Sequence, residues 1–194
     1  DIKEGLIYTK KNRTVLVLLL VALSTALLAM PFRTLLPVQI EEVFKLEVEA
    51  LGLMLSMIGV GALIGSLVIA GLSKNSRRGW VLLIPSMLSG GAILLASVTT
   101  SYAVALVIMV ILGLGDSGRR ALNSSLIMEQ TDDEHRGRVM GVYMMNFGLI
   151  PLGALPLGFI SAFLDVRIAF APAGGGLLAA AIGYTVLTDK IRQL

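Results

Sequence analysis

The chain has 194 residues, 56% of them hydrophobic and 15% charged, with a formal charge of +3 and a mean hydropathy of +0.86. That leaves too little polar surface for a water-soluble globule of this length. The absence of cysteine excludes disulfides and thiolate metal sites, and the single histidine, His135, excludes a histidine metal cluster.

Residues 1–13 are polar and carry Lys3, Lys10, Lys11 and Arg13. They read in two ways, as a cytoplasmic linker or as an interfacial helix with Ile2, Leu6 and Tyr8 against a membrane surface. The apolar run that follows is too long for a signal peptide and lacks a cleavage pattern. A start at Asp1 rather than Met reads as a piece of something longer.

Six apolar segments come next: Thr14–Ile40, Ala50–Leu72, Trp80–Val98, Ala103–Met128, Val139–Phe163 and Ile168–Leu187. About 20 residues of helix, at about 1.5 Å each, cross a hydrocarbon core about 30 Å thick. Each segment reaches about that length. Open sheets cannot cross lipid with unpaired edges, and the segments are too long for barrel strands. The expectation is an all-α polytopic membrane protein, with a six-helix transmembrane bundle over 14–187 and a cytoplasmic tail over 188–194.

The first segment is interrupted at Pro31 and Pro37, with Arg33 between them. Each proline removes a backbone donor and bends a helix. Arg33 lies near the outer end, where an interfacial anchor and a substrate contact are the two readings. In the second segment Gly61 and Gly65 form a small-xxx-small pair that admits a close neighbour. Trp80, Tyr102, Tyr143 and Tyr184 fall near segment ends, as aromatic belts do. The fifth segment holds Gly148, Pro151, Gly153, Pro156 and Gly158 and is expected to be bent or locally mobile. Pro151, Gly153 and Pro156 are hinge candidates.

Basic residues alternate with the connections. Lys74, Arg77 and Arg78 follow the second segment, Arg136 and Arg138 the fourth, and Lys190 and Arg192 the sixth, whereas Glu41–Glu49 is acidic. The positive-inside rule puts both termini in the cytoplasm of a multi-pass cell-membrane protein. Six spans divide into two sets of three that enter from opposite sides, the geometry of a 3+3 inverted repeat.

The sharpest chemical signal is the run Gly113–Arg120, in which Asp116 precedes Arg119 and Arg120. Asp116 is the only carboxylate inside the apolar segments and lies roughly 20 Å along its helix, past mid-membrane. A charge near the bilayer centre costs about 3 kcal/mol and persists when it faces a partner or a wet cavity. Asp116 reaches Arg119 at i+3 and Arg120 at i+4, with Asn123 on the same face. One reading is a cavity for an anionic or zwitterionic substrate or a proton-linked aspartate. The other is a structural ion pair with snorkelling arginines. Asn146, beside Met144–Met145, either lines the same pathway or bonds a neighbouring helix. In the loop Thr131–Arg138, three acids precede Arg136 and Arg138, which are gate candidates able to bridge helix ends.

Three stretches carry a family likeness: Glu4-Gly5-Leu6, Thr34-Leu35-Leu36-Pro37-Val38, and Arg136-Gly137-Arg138-Val139-Met140-Gly141 continuing through Gly148–Gly153. In order and spacing the chain resembles the C-terminal half of a major facilitator superfamily transporter, closest to the drug-efflux branch that includes macrolide and enterobactin exporters. The resemblance implies that the first and fourth helices line a central cavity, the second and fifth flank it, and the third and sixth support them. It also implies an N-terminal six-helix half of the same protein as partner. One position departs from the pattern: Lys74 stands where a gate aspartate is expected.

The implied function is secondary active efflux of a small amphiphilic compound (a drug, macrolide or siderophore-like molecule) by alternating access, with proton antiport open. The alternative is a non-transporting membrane scaffold or receptor. Ser117, Ser124 and Ser125 have no intramembrane histidine or lysine to act as base, so an enzyme is not expected. With no phosphate-binding loop, no cofactor and no nucleic acid is expected either.

Overall fold

A computed structural model describes residues 2–71 and 78–187, with side chains over 4–71 and 83–183. The basic connection with Lys74 and Arg77, and the tail with Lys190 and Arg192, lie outside the described residues. So do the side chains of Arg78, Trp80 and Tyr184.

The described residues form helices and turns without strands, in the order α1 (Ile2–Lys11), α2 (Arg13–Leu28), a tighter turn over Pro31–Leu35, α3 (Leu36–Gln39), a wider turn over Ile40–Phe44, α4 (Glu49–Gly71), α5 (Arg78–Val98), α6 (Tyr102–Glu129), α7 (Arg136–Gly148), α8 (Ile150–Phe163) and α9 (Val166–Leu187). Five spans have the length and apolarity to cross a bilayer: Arg13–Phe44, Glu49–Gly71, Tyr102–Glu129, Arg136–Phe163 and Val166–Gly183. The sixth is α5, apolar over Leu83–Val98. This is a polytopic helical membrane bundle.

The first span is built in pieces for a local reason. Asn12 starts α2 by accepting from the Thr14 and Val15 N–H groups at 3.2 and 3.3 Å, satisfying donors that a helix start leaves free. Pro31 then opens a 3₁₀ turn, which Thr34 Oγ1 ties by donating to the Pro31 carbonyl at 2.7 Å. This stretch is pinned to its neighbours. Phe32 is fully buried against Phe170 at 4.5 Å between ring centres, and buried Gln39 donates to the Ala96 carbonyl of α5 at 3.1 Å.

Glycine brings α4 and α6 into backbone contact. A Cβ on Gly61 would overlap the Val110 carbonyl, one on Gly65 the Leu114 carbonyl, and one on Gly113 the Ile58 carbonyl. Ser117 Oγ donates across the seam to Ala62 O at 2.9 Å. The Gly61/Gly65 pair therefore does what small residues do between membrane helices, letting backbones touch. On the other face of α4, Leu63 and Leu67 are about 70% exposed (67% and 70%), as lipid-facing side chains would be.

Two large apolar cores result, beside a small contact of Val17 with Leu83. One joins Phe32, Leu36, Met54, Ile93, Met109, Leu112 and Phe170. The other joins Val15, Leu18, Leu122, Leu126, Val139 and Tyr143 near the basic end of the bundle. On α6 the first core ends at Leu112 and the second begins at Leu122. Asp116 and Arg119 fall in the gap.

The fifth span is interrupted at Leu149, between α7 and α8. At Leu149 the N–H donates to Asn146 O at 3.2 Å, α7 stops, and α8 starts with Pro151 in its first turn. Proline there costs nothing because that N–H has no intrahelical partner.

At the basic end α1 docks on protein rather than only on a surface. Tyr8 stacks on His135 at 4.4 Å and donates to Asp132 at 3.1 Å, so it is in contact with the 130–135 loop. Arg138 pairs with Glu4 at 3.1 Å and Arg136 with Asp133. Gly5 sits so close that a Cβ would lie 2.8 Å from the Arg138 carbonyl oxygen. At the opposite end, Arg167 binds Asp165 and holds its carboxyl below the usual aspartate range.

Candidate functional site

Asp116 lies on the side of α6 that faces the first span, where α2 has given way to the Pro31–Leu35 turn. Its carboxylate meets three guanidinium groups. Arg119 Nη2 donates to Oδ1 at 2.6 Å. Arg120 Nη2 reaches Oδ2 at 3.1 Å, and Arg33 Nη2 donates to the same oxygen at 3.0 Å. Asp116 is 4% exposed and Arg119 2%, while the Arg33 and Arg120 side chains are about one-third exposed.

The helical pitch explains the Arg119 and Arg120 contacts. The Arg33 contact has a different origin. It joins α6 to the turn that Pro31 opens, 83 residues away along the chain. In the structure Arg33 is a partner of the buried carboxylate.

Arginine stays protonated, so among the described residues this cluster carries more positive than negative charge. Buried ions without compensation are costly, by several kcal/mol for a broken pair. An excess of cations persists in a membrane protein where it faces water, a further partner or a ligand.

Such an opening exists. A small cleft beside the cluster is lined by Thr25, Met30, Arg119, Arg120, Tyr143 and Asn146, among others, with about 20 Å³ open to the centre of a water-sized sphere. That is room for about one water. Two donors on its lining residues, Arg119 Nε and Asn146 Nδ2, are buried and have no hydrogen-bond partner. Asn146 thus joins the site from α7. Asn123 does not: its Nδ2 donates to Leu18 O at 3.2 Å, which ties α6 to α2.

The remaining candidates lie apart from the cluster. Gly153 is a packing position, since a Cβ there would overlap the Leu27 carbonyl and crowd Pro31. Pro151 and Pro156 belong to α8. Arg136 and Arg138 belong to the loop contacts at the basic end. No group of three or more metal-ligating side chains occurs among the described residues.

Residues 14–191 match the Major Facilitator Superfamily. The chain is 26% identical over 161 residues to the staphyloferrin A transporter of Staphylococcus aureus (strain NCTC 8325 / PS 47), an alignment covering 83% of this chain and 40% of that protein. The chain thus spans about 40% of the length of the curated relative it matches. No solved structure is significantly similar to it. The chain belongs to the Major Facilitator Superfamily.

Proposed function

We propose that this member of the superfamily is the C-terminal half of a secondary active transporter that exports a small amphiphilic compound, drug-, macrolide- or siderophore-like, across the cell membrane by alternating access. The observation that carries the reading is the Asp116 cluster. A carboxylate shared by three arginines sits between two apolar cores, beside a cleft with unpartnered donors. Such a polar centre is costly in a passive scaffold and useful to a carrier, whose site lies near the midplane between two halves.

In this reading the N-terminal half closes the open side of the cleft, and Asp116 is the site for proton antiport. Both ends of the chain are cytoplasmic, on the strength of the basic connections. The break at Leu149, followed by Pro151 and Pro156, lets α7 move relative to α8. The contacts of Arg136 and Arg138 with Asp133, Glu134 and Glu4 hold the cytoplasmic side closed and part when it opens.

Single cysteines test this, introduced into the full-length transporter after any cysteine outside this segment has been replaced. An impermeant maleimide should label Asp133→Cys only from the cytoplasm and Glu47→Cys only from outside. Phe147→Cys, on the cleft, should label from both sides, in a ratio that shifts with an imposed proton gradient. One-sided labelling of Phe147→Cys under every condition would contradict alternating access, and reversed labelling of the other two would overturn the orientation. Replacing Pro151 and Pro156 by alanine should bias Phe147→Cys toward one side; an unchanged ratio leaves the prolines to packing alone.

A further inference from the structure

We infer that the cleft beside Asp116 is an oxyanion site that receives a carboxylate group of the transported molecule, gripped by Arg119 Nε, Asn146 Nδ2 and Arg120. The inference rests on the transporter reading and adds the chemical class of the substrate. Three observations converge on it.

The first is the charge imbalance. Asp116 uses both oxygens on Arg33, Arg119 and Arg120. A single carboxylate cannot neutralise three guanidiniums, so a second anion is the natural complement. The second is the pair of buried donors without partners, Arg119 Nε and Asn146 Nδ2, on residues that line one cleft. A buried donor left unmade costs about 1–3 kcal/mol, and both here want an acceptor. Arg119 is itself 2% exposed, so bulk water does not relieve its Nε.

The third is shape. A space of about 20 Å³ takes the tip of a carboxylate and not a whole substrate. The rest of the molecule then lies outside the cleft, against Phe147, which is 38% exposed, and Met30. An anionic head with an apolar body fits this division. Asp116 has a separate task, to hold Arg119 and Arg120 in place and to keep the empty site from carrying its full positive charge. Planar oxygen pairs suit a guanidinium edge better than a spherical anion does.

The test reads charge selectivity and needs no known substrate. A Met30→Cys variant of the full-length transporter is reacted with anionic sulfonatoethyl, cationic trimethylammonioethyl and neutral hydroxyethyl methanethiosulfonates. Normalised to the neutral reagent, the anionic one should react about 10-fold faster than the cationic one, as a focused positive potential raises local anion concentration. Arg120→Gln should shrink that ratio, and Arg120→Lys should preserve it. Glutarate should slow labelling, and its uncharged dimethyl ester should not.

Equal or cation-favouring rates, absence of glutarate protection, or failure of the neutral reagent to react would each overturn the oxyanion site. Anion selectivity in a protein that moves no compound would instead sink the transport reading and leave the site standing. Flux without selectivity would do the reverse.

Discussion

Asp116→Asn in the full-length protein is expected to abolish transport and erase its pH dependence. The amide keeps the shape but removes the charge that three arginines share, and it cannot take up or release a proton. Breaking a buried pair by neutralising one partner costs about 3–5 kcal/mol, so the variant should also unfold at lower temperature. A second substitution separates the two effects. Asp116→Asn with Arg33→Gln removes one cation along with the anion and should recover part of the thermal stability. If Asp116 also carries the proton, flux stays lost in the double variant. Recovery of flux would reduce Asp116 to charge balance, and normal pH-dependent flux in the single variant would rule out a proton-coupling role.

The second large effect concerns the seam between α4 and α6. Gly61→Ala places a methyl group into the Val110 carbonyl, and Gly113→Ala does the same at Ile58. Backbone cannot rotate out of the way, so the helices must separate, and overpacking of this kind costs about 1–3 kcal/mol per site. Gly59 supplies the control. It lies two residues from Gly61, and a Cβ there meets nothing within 4 Å. Alanine improves intrinsic helix propensity by about 1 kcal/mol over glycine at either position, so the contrast isolates the close approach. Gly61→Ala should lower the melting temperature and the yield of folded protein, and the Gly61/Gly113 double variant more so. Gly59→Ala should do neither. Equal stability of Gly61→Ala and Gly59→Ala would mean that the seam is not tight.

The same two places show what a sequence can disclose. Gly61 and Gly65 announce a close contact because spacing on one helix is a local property. The six spans are legible for a similar reason, since apolar length suffices without knowledge of any neighbour. Asp116 with Arg119 and Arg120 is local too, fixed by helical pitch. Arg33 is 83 residues from its carboxylate, and no periodicity links them. The available signal was chemical: Arg33 sits in an apolar segment, and Asp116 is the only carboxylate in any of them.

Other features depend on tertiary contact alone. The docking of α1 through Tyr8–His135 and Glu4–Arg138 looks in sequence like any amphipathic stretch. The break at Leu149 lies two residues before Pro151, which fits the first turn of α8. Asn146 was ambiguous between cavity and helix–helix bond, and only its unpartnered amide nitrogen places it on the cleft.

The central claim is that the protein carries a compound across the membrane using a gradient and no nucleotide. Its most direct test reconstitutes the full-length transporter in proteoliposomes free of ATP and follows a panel of labelled macrolide and siderophore compounds under an imposed proton gradient. At least one compound should accumulate against its own gradient, and an ionophore that collapses the proton gradient should stop it. Saturable binding without flux across the whole panel would contradict the account and favour a scaffold or receptor. Robust flux by monomeric residues 1–194 alone would contradict the two-walled site.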